Sequence, residues 1–342
     1  MTPFALEYLC DPVDKSSLEL ADAIYNDEGI IQSGILTSKN GSHYPIINGI
    51  PRFSDRKSDL VNSVQSFGDE WNHFNFIDFK KHWLNHTVTN TFGDISVLRD
   101  KIIVDAGGGS GSQTLWMLES GAKHVFMLEL SHSVDDVVKR NLEPSGFRNY
   151  DVIQCSIDSP PLRTQSIPGI VICHNVIQHT PSVEKTAEAL YEIVSEGGEF
   201  VFNCYPKNDQ GFFRWVRFYL VYTPLREFLS RMPFFVILSY AHLMGILRLL
   251  PGFGFLLEKM NFCVQGDVPD TTSMLDRIRR RYHATVLNTY DCYGSHAYQH
   301  CKTDAEIYTL IERLQPNGSK ILNSEKYFQR PPPVGCALRI FR

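Results

Sequence analysis

The segment Lys101-Ile-Ile-Val-Asp-Ala-Gly-Gly-Gly-Ser-Gly-Ser112 constrains the fold of this chain more than any other. A short apolar run ends in the acid Asp105. Glycines follow at Gly107, Gly108, Gly109 and Gly111, and a helical pattern begins after Ser112. The order reads as strand, tight turn, helix. Glycine lets a backbone turn sharply and lets a ligand approach it closely, and the helix start behind it presents N–H groups to an anionic group. The next apolar run, His124 to Leu130, reads as a second strand and carries Glu129, 18 residues after Gly111. An acid in that place can accept hydrogen bonds from both hydroxyls of a ribose.

Two ligand classes fit a strand–glycine loop–helix–strand–acid unit: a nicotinamide or flavin dinucleotide, and S-adenosylmethionine. The dinucleotide fingerprint G-x-G-x-x-G/A needs a third small residue for close helix packing. Counted from Gly107 and Gly109, that place holds Ser112 and the pattern misses. The run D-x-G-x-G-x-G from Asp105 to Gly111 resembles the first motif of the class I S-adenosylmethionine-dependent methyltransferases. Glu129-Leu130-Ser131 resembles their second. Tyr150–Ser156 reads as a third strand, followed by Ile157-Asp158-Ser159-Pro160-Pro161-Leu162. Gly169–Asn175 reads as a fourth. Asn175-Val-Ile-Gln-His-Thr-Pro-Ser182 then resembles the Val-Leu-His-His-Thr-Pro-Asp signature of small-molecule methyltransferases, with Gln178 for the first His. Thr180 is expected to cap a helix with Pro181 in its first position. Val183, Ala187, Leu190, Tyr191 and Val194 give that helix one apolar stripe, and Gly197-Gly198 stops it. A fifth strand follows over Glu199–Tyr205. The chain departs from common family residues at Ser156 and Gly169, both places where many members carry Asp.

The resemblance implies a Rossmann-like α/β fold: a seven-stranded, mostly parallel sheet with a C-terminal antiparallel strand. Lys320–Asn323 and Gly335–Phe341 would supply the closing hairpin. It implies S-adenosylmethionine as cofactor, with Gly107, Gly108, Gly109 and Gly111 facing its methionine moiety. Asp105 would help hold the ammonium group through the loop, and Glu129 the ribose. Ile157 and Asp158 would flank the adenine, and Asn175 would line the cofactor end of the fourth strand.

The flanks divide the chain further. Residues 1–55, with Leu9-Cys10-Asp11-Pro12-Val13-Asp14-Lys15 and His43–Pro51, resemble the small zinc-ribbon-like domain found fused ahead of some bacterial methyltransferases. The zinc form uses two Cys pairs. Here Cys10 stands alone beside His43, short of the roughly four ligands that structural zinc needs, so a metal-free β unit is expected and no metal site is assigned. Residues 56–100 form an aromatic helical segment, in which Phe67-Gly68-Asp69-Glu70-Trp71 looks like the Phe-Gly-x-x-Trp run of the fused proteins. Residues 101–205 make the cofactor-binding core, 206–262 a helical apolar cap insertion, and 263–342 the C-terminal part of the core. Within the insertion, Met232–Leu247 is an uncharged run of 16 residues, short of the roughly 20 a membrane span needs. No transmembrane span is expected. A cap on the core is one reading of 211–257. The other is peripheral membrane contact, with Arg214, Arg217, Arg226, Arg231 and Arg248 near anionic headgroups.

Composition excludes more than it assigns. A net charge of −5 gives no basic footprint, so no bulk nucleic-acid binding is expected. The first residues lack the basic and apolar regions of a secretory signal. None of the eight cysteines forms Cys-x-x-Cys, and Cys155, Cys173 and Cys204 fall in core strands, which fits buried thiols in a reducing, cytoplasmic setting.

Methyl transfer to a hydroxyl needs two reactants held in line and a base for the proton. The C-terminal strand edge is where open α/β sheets bind ligands. There His179 follows strand four and Tyr205 ends strand five, and both are the catalytic candidates. The expected acceptor is a hydroxyl on a small molecule, sugar or lipid-linked saccharide. Two other readings stay open: a cofactor-binding regulatory or scaffold protein without turnover, and an NAD-dependent oxidoreductase.

Overall fold

The computed structural model describes residues 1–53, 61–74, 76–205, 207, 211–264, 273–294, 296, 298–321 and 336–342. They fall into two compact units, one of Met1–Pro206 with Tyr298–Arg342, the other of Lys207–Ala297.

The first unit opens with a four-stranded antiparallel sheet, β1 (Leu18–Tyr25), β2 (Ile31–Ser38), β3 (His43–Ile47) and β4 (Ile50–Pro51), in that spatial order. Its Ile31, Leu36 and Ile46 join the same buried cluster as Phe126 and Ile153 of the large sheet, so the small sheet shares a core with the large one. Asp11 closes the turn after Cys10: its carboxylate accepts from the amide of Val13 at 2.8 Å and from the Tyr44 hydroxyl at 2.9 Å. Arg52 then reaches the large sheet, donating to Gln154 at 3.0 Å and pairing with Asp135 at 2.8 Å.

Helix α1 (Val61–His73) precedes the large sheet. That sheet contains β5 (Ile102–Ala106), β6 (His124–Glu129), β7 (Tyr150–Gln154), β8 (Ile170–Cys173) and β9 (Glu199–Cys204), with α2 (Ser112–Glu119) after β5 and α3 (Val183–Glu192) after β8. It closes with α7 (Asp304–Leu314), β10 (Gly318–Ile321) and β11 (Cys336–Phe341). The strand order is β10-β11-β9-β8-β5-β6-β7. β5 to β9 run parallel, and β11 lies antiparallel to both its neighbours. This is the expected seven-stranded sheet with its antiparallel strand. Every residue of β5, β6 and β8 is buried, which explains why these strands read as near-continuous apolar runs. Because β5 pairs with β6 on one side and β8 on the other, the chain reverses direction of travel at the C-terminal end of β5, where such sheets hold ligands.

One local expectation changes, and another holds. Helix α3 is capped by Ser182, whose hydroxyl accepts from Lys185 N, not by Thr180. The Thr180 hydroxyl is spent inside the preceding turn, donating to the Ile177 carbonyl at 2.7 Å. Cys10, Cys155, Cys173, Cys204 and Cys263 are buried thiols, and burial pushes Cys204 up to about 12.

The second unit is helical: α4 (Phe234–Arg248), α5 (Phe253–Lys259) and α6 (Met274–Tyr293) are its longest described pieces apart from the helical run before α4. The sequence reading placed residues 263–297 with the core, whereas α6 belongs here. It packs on α4, where His242 Nδ1 lies 2.6 Å from the Tyr282 hydroxyl, and it buries Ala284, Val286 and Tyr290. Among the described residues, no helix is long and apolar enough to cross a membrane.

Candidate active site

The loop after β5 takes three positive-φ turns, at Gly107, Gly109 and Gly111. Its amides face the neighbouring strand. Gly107 N and Gly108 N donate to the Leu128 carbonyl at 2.8 and 3.0 Å, and Gly111 N to the Gly108 carbonyl at 2.9 Å. Gly109 N donates to Glu129 Oε2 at 2.9 Å, while Glu129 Oε1 accepts from Ser131 N at 2.8 Å. These four N–H groups are therefore committed within the chain. Those four amides are not available to a phosphate.

What the loop does present is negative charge. Asp105 and Glu129 are 3% and 5% exposed. Asp105 accepts from the Thr114 hydroxyl at 2.7 Å. Burial pushes its carboxyl up to about 6, the Thr114 bond opposes the shift, and the charge of Glu129 adds to it. Two buried acids that repel each other suit a cationic ligand, which relieves both. Glu129 retains acceptor capacity, since a carboxylate has about four lone-pair sites and two are used here.

Aromatic residues of α1 cover this loop. A Cβ on Gly109 would meet the Trp71 ring at 2.9 Å, so the indole lies directly against the turn. Gly68 has the matching reason one helical turn earlier: a Cβ there would fall 2.2 Å from the His132 ring. Arg140 fixes the helix end by donating to the Trp71 carbonyl at 2.8 Å. The Phe-Gly-x-x-Trp run is thus a packing device onto the loop. From Trp71 a series of rings leads away: Phe67 stacks on Trp71 at 6.5 Å, Phe67 meets His179 edge-on at 5.5 Å, and His179 meets Tyr205 at 5.6 Å and 85°.

His179 and Tyr205, the two catalytic candidates, therefore lie together beyond β8 and β9. His179 Nδ1 is 3.2 Å from the Tyr298 carbonyl. A carbonyl only accepts, so in the neutral ring Nδ1 bears the proton and Nε2 the lone pair. Residues 298–302 are stitched alongside: His300 N donates to the Gln178 carbonyl at 2.8 Å, Lys302 N to the Tyr205 carbonyl at 2.9 Å, and Cys204 Sγ to the His300 carbonyl at 3.3 Å. The Gln178 side chain is fully buried, and neither its amide nitrogen nor its oxygen has a hydrogen-bond partner among the described residues. A buried amide left unpaired is costly and calls for an explanation.

The remaining residues fall around the same edge. Asn175 has φ 60° and exchanges two hydrogen bonds with Asn203, each 2.6 Å, which ties the ends of β8 and β9. Ile157, buried, and Asp158, half-buried, follow β7. At Gly169 the missing aspartate has a steric cause, because any Cβ would stand 2.0 Å from the Ile102 carbonyl oxygen. Asp291, Tyr293 and His296 belong to the second unit. Sequence reading gives Gln178 and Asn203 no site role and leaves Phe67 and Trp71 in an aromatic segment that either walls the cofactor or packs on the core. Only the Phe-Gly-x-x-Trp run and the substitution at Gln178 carried any signal for them.

A family model described as "Methyltransferase domain" matches residues 104–202. Protein arginine N-methyltransferase 1 of Oryza sativa subsp. indica is 29% identical over 117 residues, 32% of this chain and 29% of its own length. The chain thus spans less than a third of that curated relative. Among solved structures, an S-adenosylmethionine-dependent methyltransferase from Listeria monocytogenes is 13% identical, with 75% of this chain and 99% of that chain covered and a TM-score of 0.41. Human N-acetylserotonin methyltransferase in complex with S-adenosylmethionine is 12% identical, with 84% and 60% covered and a TM-score of 0.43. Residues 104–202 are a methyltransferase domain, and the cofactor of such a domain is S-adenosylmethionine.

Proposed function

We propose that the whole chain is an S-adenosylmethionine-dependent O-methyltransferase acting on a hydroxyl of a small molecule, sugar or lipid-linked saccharide. The observation that carries this is the pair of buried acids, Asp105 and Glu129, beside a loop four of whose amides are already committed. A pyrophosphate would meet negative charge there, whereas a ligand bearing ammonium and sulfonium groups would neutralise it.

In this reading Gly107, Gly108, Gly109 and Gly111 pass the methionine moiety, with Asp105 behind them favouring its ammonium. Glu129 accepts from the ribose hydroxyls. Ile157 and Asp158 flank the adenine, Asn175 with Asn203 shapes the edge between, and Trp71 walls the loop. S-adenosylmethionine supplies a methyl group on a positively charged sulfur, so the carbon–sulfur bond breaks as the acceptor oxygen bonds to carbon. His179 Nε2 takes the acceptor's proton, its ring held by the Nδ1–H bond to the Tyr298 carbonyl, with Tyr205 packed at right angles to it. The Gln178 amide binds the acceptor's polar groups, which explains an otherwise unpaired buried side chain. Residues 1–55 act as a metal-free relative of the zinc-ribbon-like module, its turn closed by Asp11. A lipid-linked acceptor brings the protein to the cytoplasmic face of a bilayer through 211–257.

The test is transfer from S-adenosylmethionine labelled in its methyl group into cell extract, with the product's linkage then determined. Label in an ether, stable to base and dependent on His179, supports the reading. Label on nitrogen, or no S-adenosylhomocysteine formed with any extract, overturns it, the latter in favour of a binding protein without turnover.

A further inference from the structure

Helix α4 shows an unusual distribution. Its inward positions Ile237, Ala241, Met244 and Gly245 are buried, as an amphipathic helix requires. Its outward positions Phe235, Ser239, Leu243 and Ile246, continued by Leu250, follow spacings of 4, 4, 3 and 4 and form one exposed stripe. Four of those five are apolar. The fifth, Ser239, turns its hydroxyl back onto the Phe235 carbonyl at 2.6 Å and so offers little polarity outward. A helix apolar on both faces is ordinarily buried in a core or placed against lipid.

The exposed apolar surface continues along the chain. Arg248 and Glu258, paired at 2.6 Å, tie α5 to α4, and α5 exposes Phe253, Phe255 and Leu256. Before α4, Phe212, Phe213 and Trp215 are also exposed, the first two by 74% and 81%. Six phenylalanines of this unit, at 212, 213, 228, 235, 253 and 255, are each 47–81% exposed. At about 200 Å² per open side chain they leave on the order of 700–800 Å² bare.

Charge selects the occupant. Between residues 211 and 264 there are six Lys and Arg against two Asp and Glu, in a chain whose net charge is −5. Both acids are held by arginines, Glu227 by Arg231 at 2.9 Å and Glu258 by Arg248 at 2.6 Å. Lys259 sits 5.1 Å over the Phe255 ring, a cation beside an exposed aromatic. Bulky apolar side chains among surplus cations match the boundary between acyl chains and anionic headgroups. Spanning is excluded for α4 by length, since its 15 residues reach about 22 Å and the hydrocarbon core is about 30 Å thick.

We infer that α4 and α5, with Phe212–Trp215, lie in the plane of an anionic membrane surface. This deepens the bilayer contact through 211–257 by naming its surface and the headgroup charge, and it stands whether or not the chain transfers methyl groups.

The test is co-sedimentation of the full chain with phosphatidylcholine vesicles, with and without 30 mol % phosphatidylglycerol. Binding at least tenfold stronger to the anionic vesicles, weakened as salt rises, is expected. The triple variant Phe235→Ser, Leu243→Gln, Ile246→Gln changes only outward positions. It should lose that binding at least tenfold while keeping its far-UV spectrum and its affinity for S-adenosylmethionine. Lys259→Gln with Arg214→Gln should lose the preference for phosphatidylglycerol. No vesicle binding, equal binding to neutral vesicles, or a dimer in sedimentation velocity that the triple variant dissolves would each overturn the inference. The dimer would assign the surface to a second copy of the chain.

Discussion

The amide of Gly109 donates to Glu129 Oε2 across 2.9 Å and so ties the glycine loop to the acid at the end of the neighbouring strand. One carboxylate therefore shapes the loop and faces the ligand together. Replacing Glu129 with Gln removes the charge and leaves one acceptor oxygen for the two amides, Gly109 N and Ser131 N, that the carboxylate now serves. A hydrogen bond to a charged group is worth roughly 1.5–3 kcal/mol, so Glu129→Gln should weaken S-adenosylmethionine binding about 10- to 100-fold. Calorimetric titration on the folded protein reads this directly. Unchanged affinity would remove Glu129 from the ribose site.

Asp105 gives a pH signature. Its folded pKa of about 6 stands above the model-compound 3.8. The sign follows: the folded chain holds this proton more tightly than the unfolded chain. The contribution to stability is therefore fully present below about pH 3.8, declines as pH rises, and is lost through about pH 6. Its size is on the order of 3 kcal/mol. A cationic ligand acts oppositely, favouring the ionised form, so affinity should climb between pH 5 and 7. Asp105→Asn retains an acceptor for Thr114. It should raise the melting temperature of the ligand-free protein at pH 7.5, flatten the pH dependence of affinity, and weaken binding. A variant with the wild-type pH profile would show that Asp105 does not sense the ligand.

Gln178 separates a structural role from a functional one. With both amide atoms unpaired among the described residues, Gln178→Leu should stabilise the free protein, by about 1–3 kcal/mol if the whole penalty is relieved. Thermal unfolding measures this. Acceptor KM should rise while cofactor affinity holds. A fall in stability instead would mean that the amide is satisfied in the folded chain.

His179→Ala should lower turnover about 10²–10⁴-fold, the usual contribution of a positioned general base, with S-adenosylmethionine affinity changed less than about threefold. Single-turnover rates against pH should lose one ionisation. Equal losses in affinity and rate would point to a packing role for the ring between Phe67 and Tyr205.

The parts of this site that were legible in the sequence are those made by short stretches of chain. Asp105 to Gly111 announced the loop because buried parallel strands are continuous apolar runs and the turn after β5 needs positive φ. The closing hairpin was legible through the family resemblance, and its strands β10 and β11 pair antiparallel as that implies. Gly169 was visible as a departure, but its meaning was not. The Ile102 carbonyl that forbids a side chain there comes from a strand 67 residues earlier. Trp71 against Gly109 and the 298–302 segment against Gln178 are likewise long-range contacts that no local pattern encodes. The packing of α6 on α4, where His242 meets Tyr282, is another such long-range contact.

The steric reading of Gly169 is itself testable. With 2.0 Å available, Gly169→Ala should cost roughly 3 kcal/mol or more and lower the melting temperature by several degrees. Cofactor affinity measured on the folded fraction should stay near wild type. A stable Gly169→Asp protein with tighter S-adenosylmethionine binding would instead mean that the position had lost an adenine ligand.

The central claim is that the acids beside the loop select a cationic cofactor, and isothermal titration of the purified full chain with S-adenosylmethionine and with NAD tests it most directly. The account predicts saturable, one-to-one binding of S-adenosylmethionine and no measurable heat with NAD at the same concentrations. Tight NAD binding with no response to S-adenosylmethionine would contradict it.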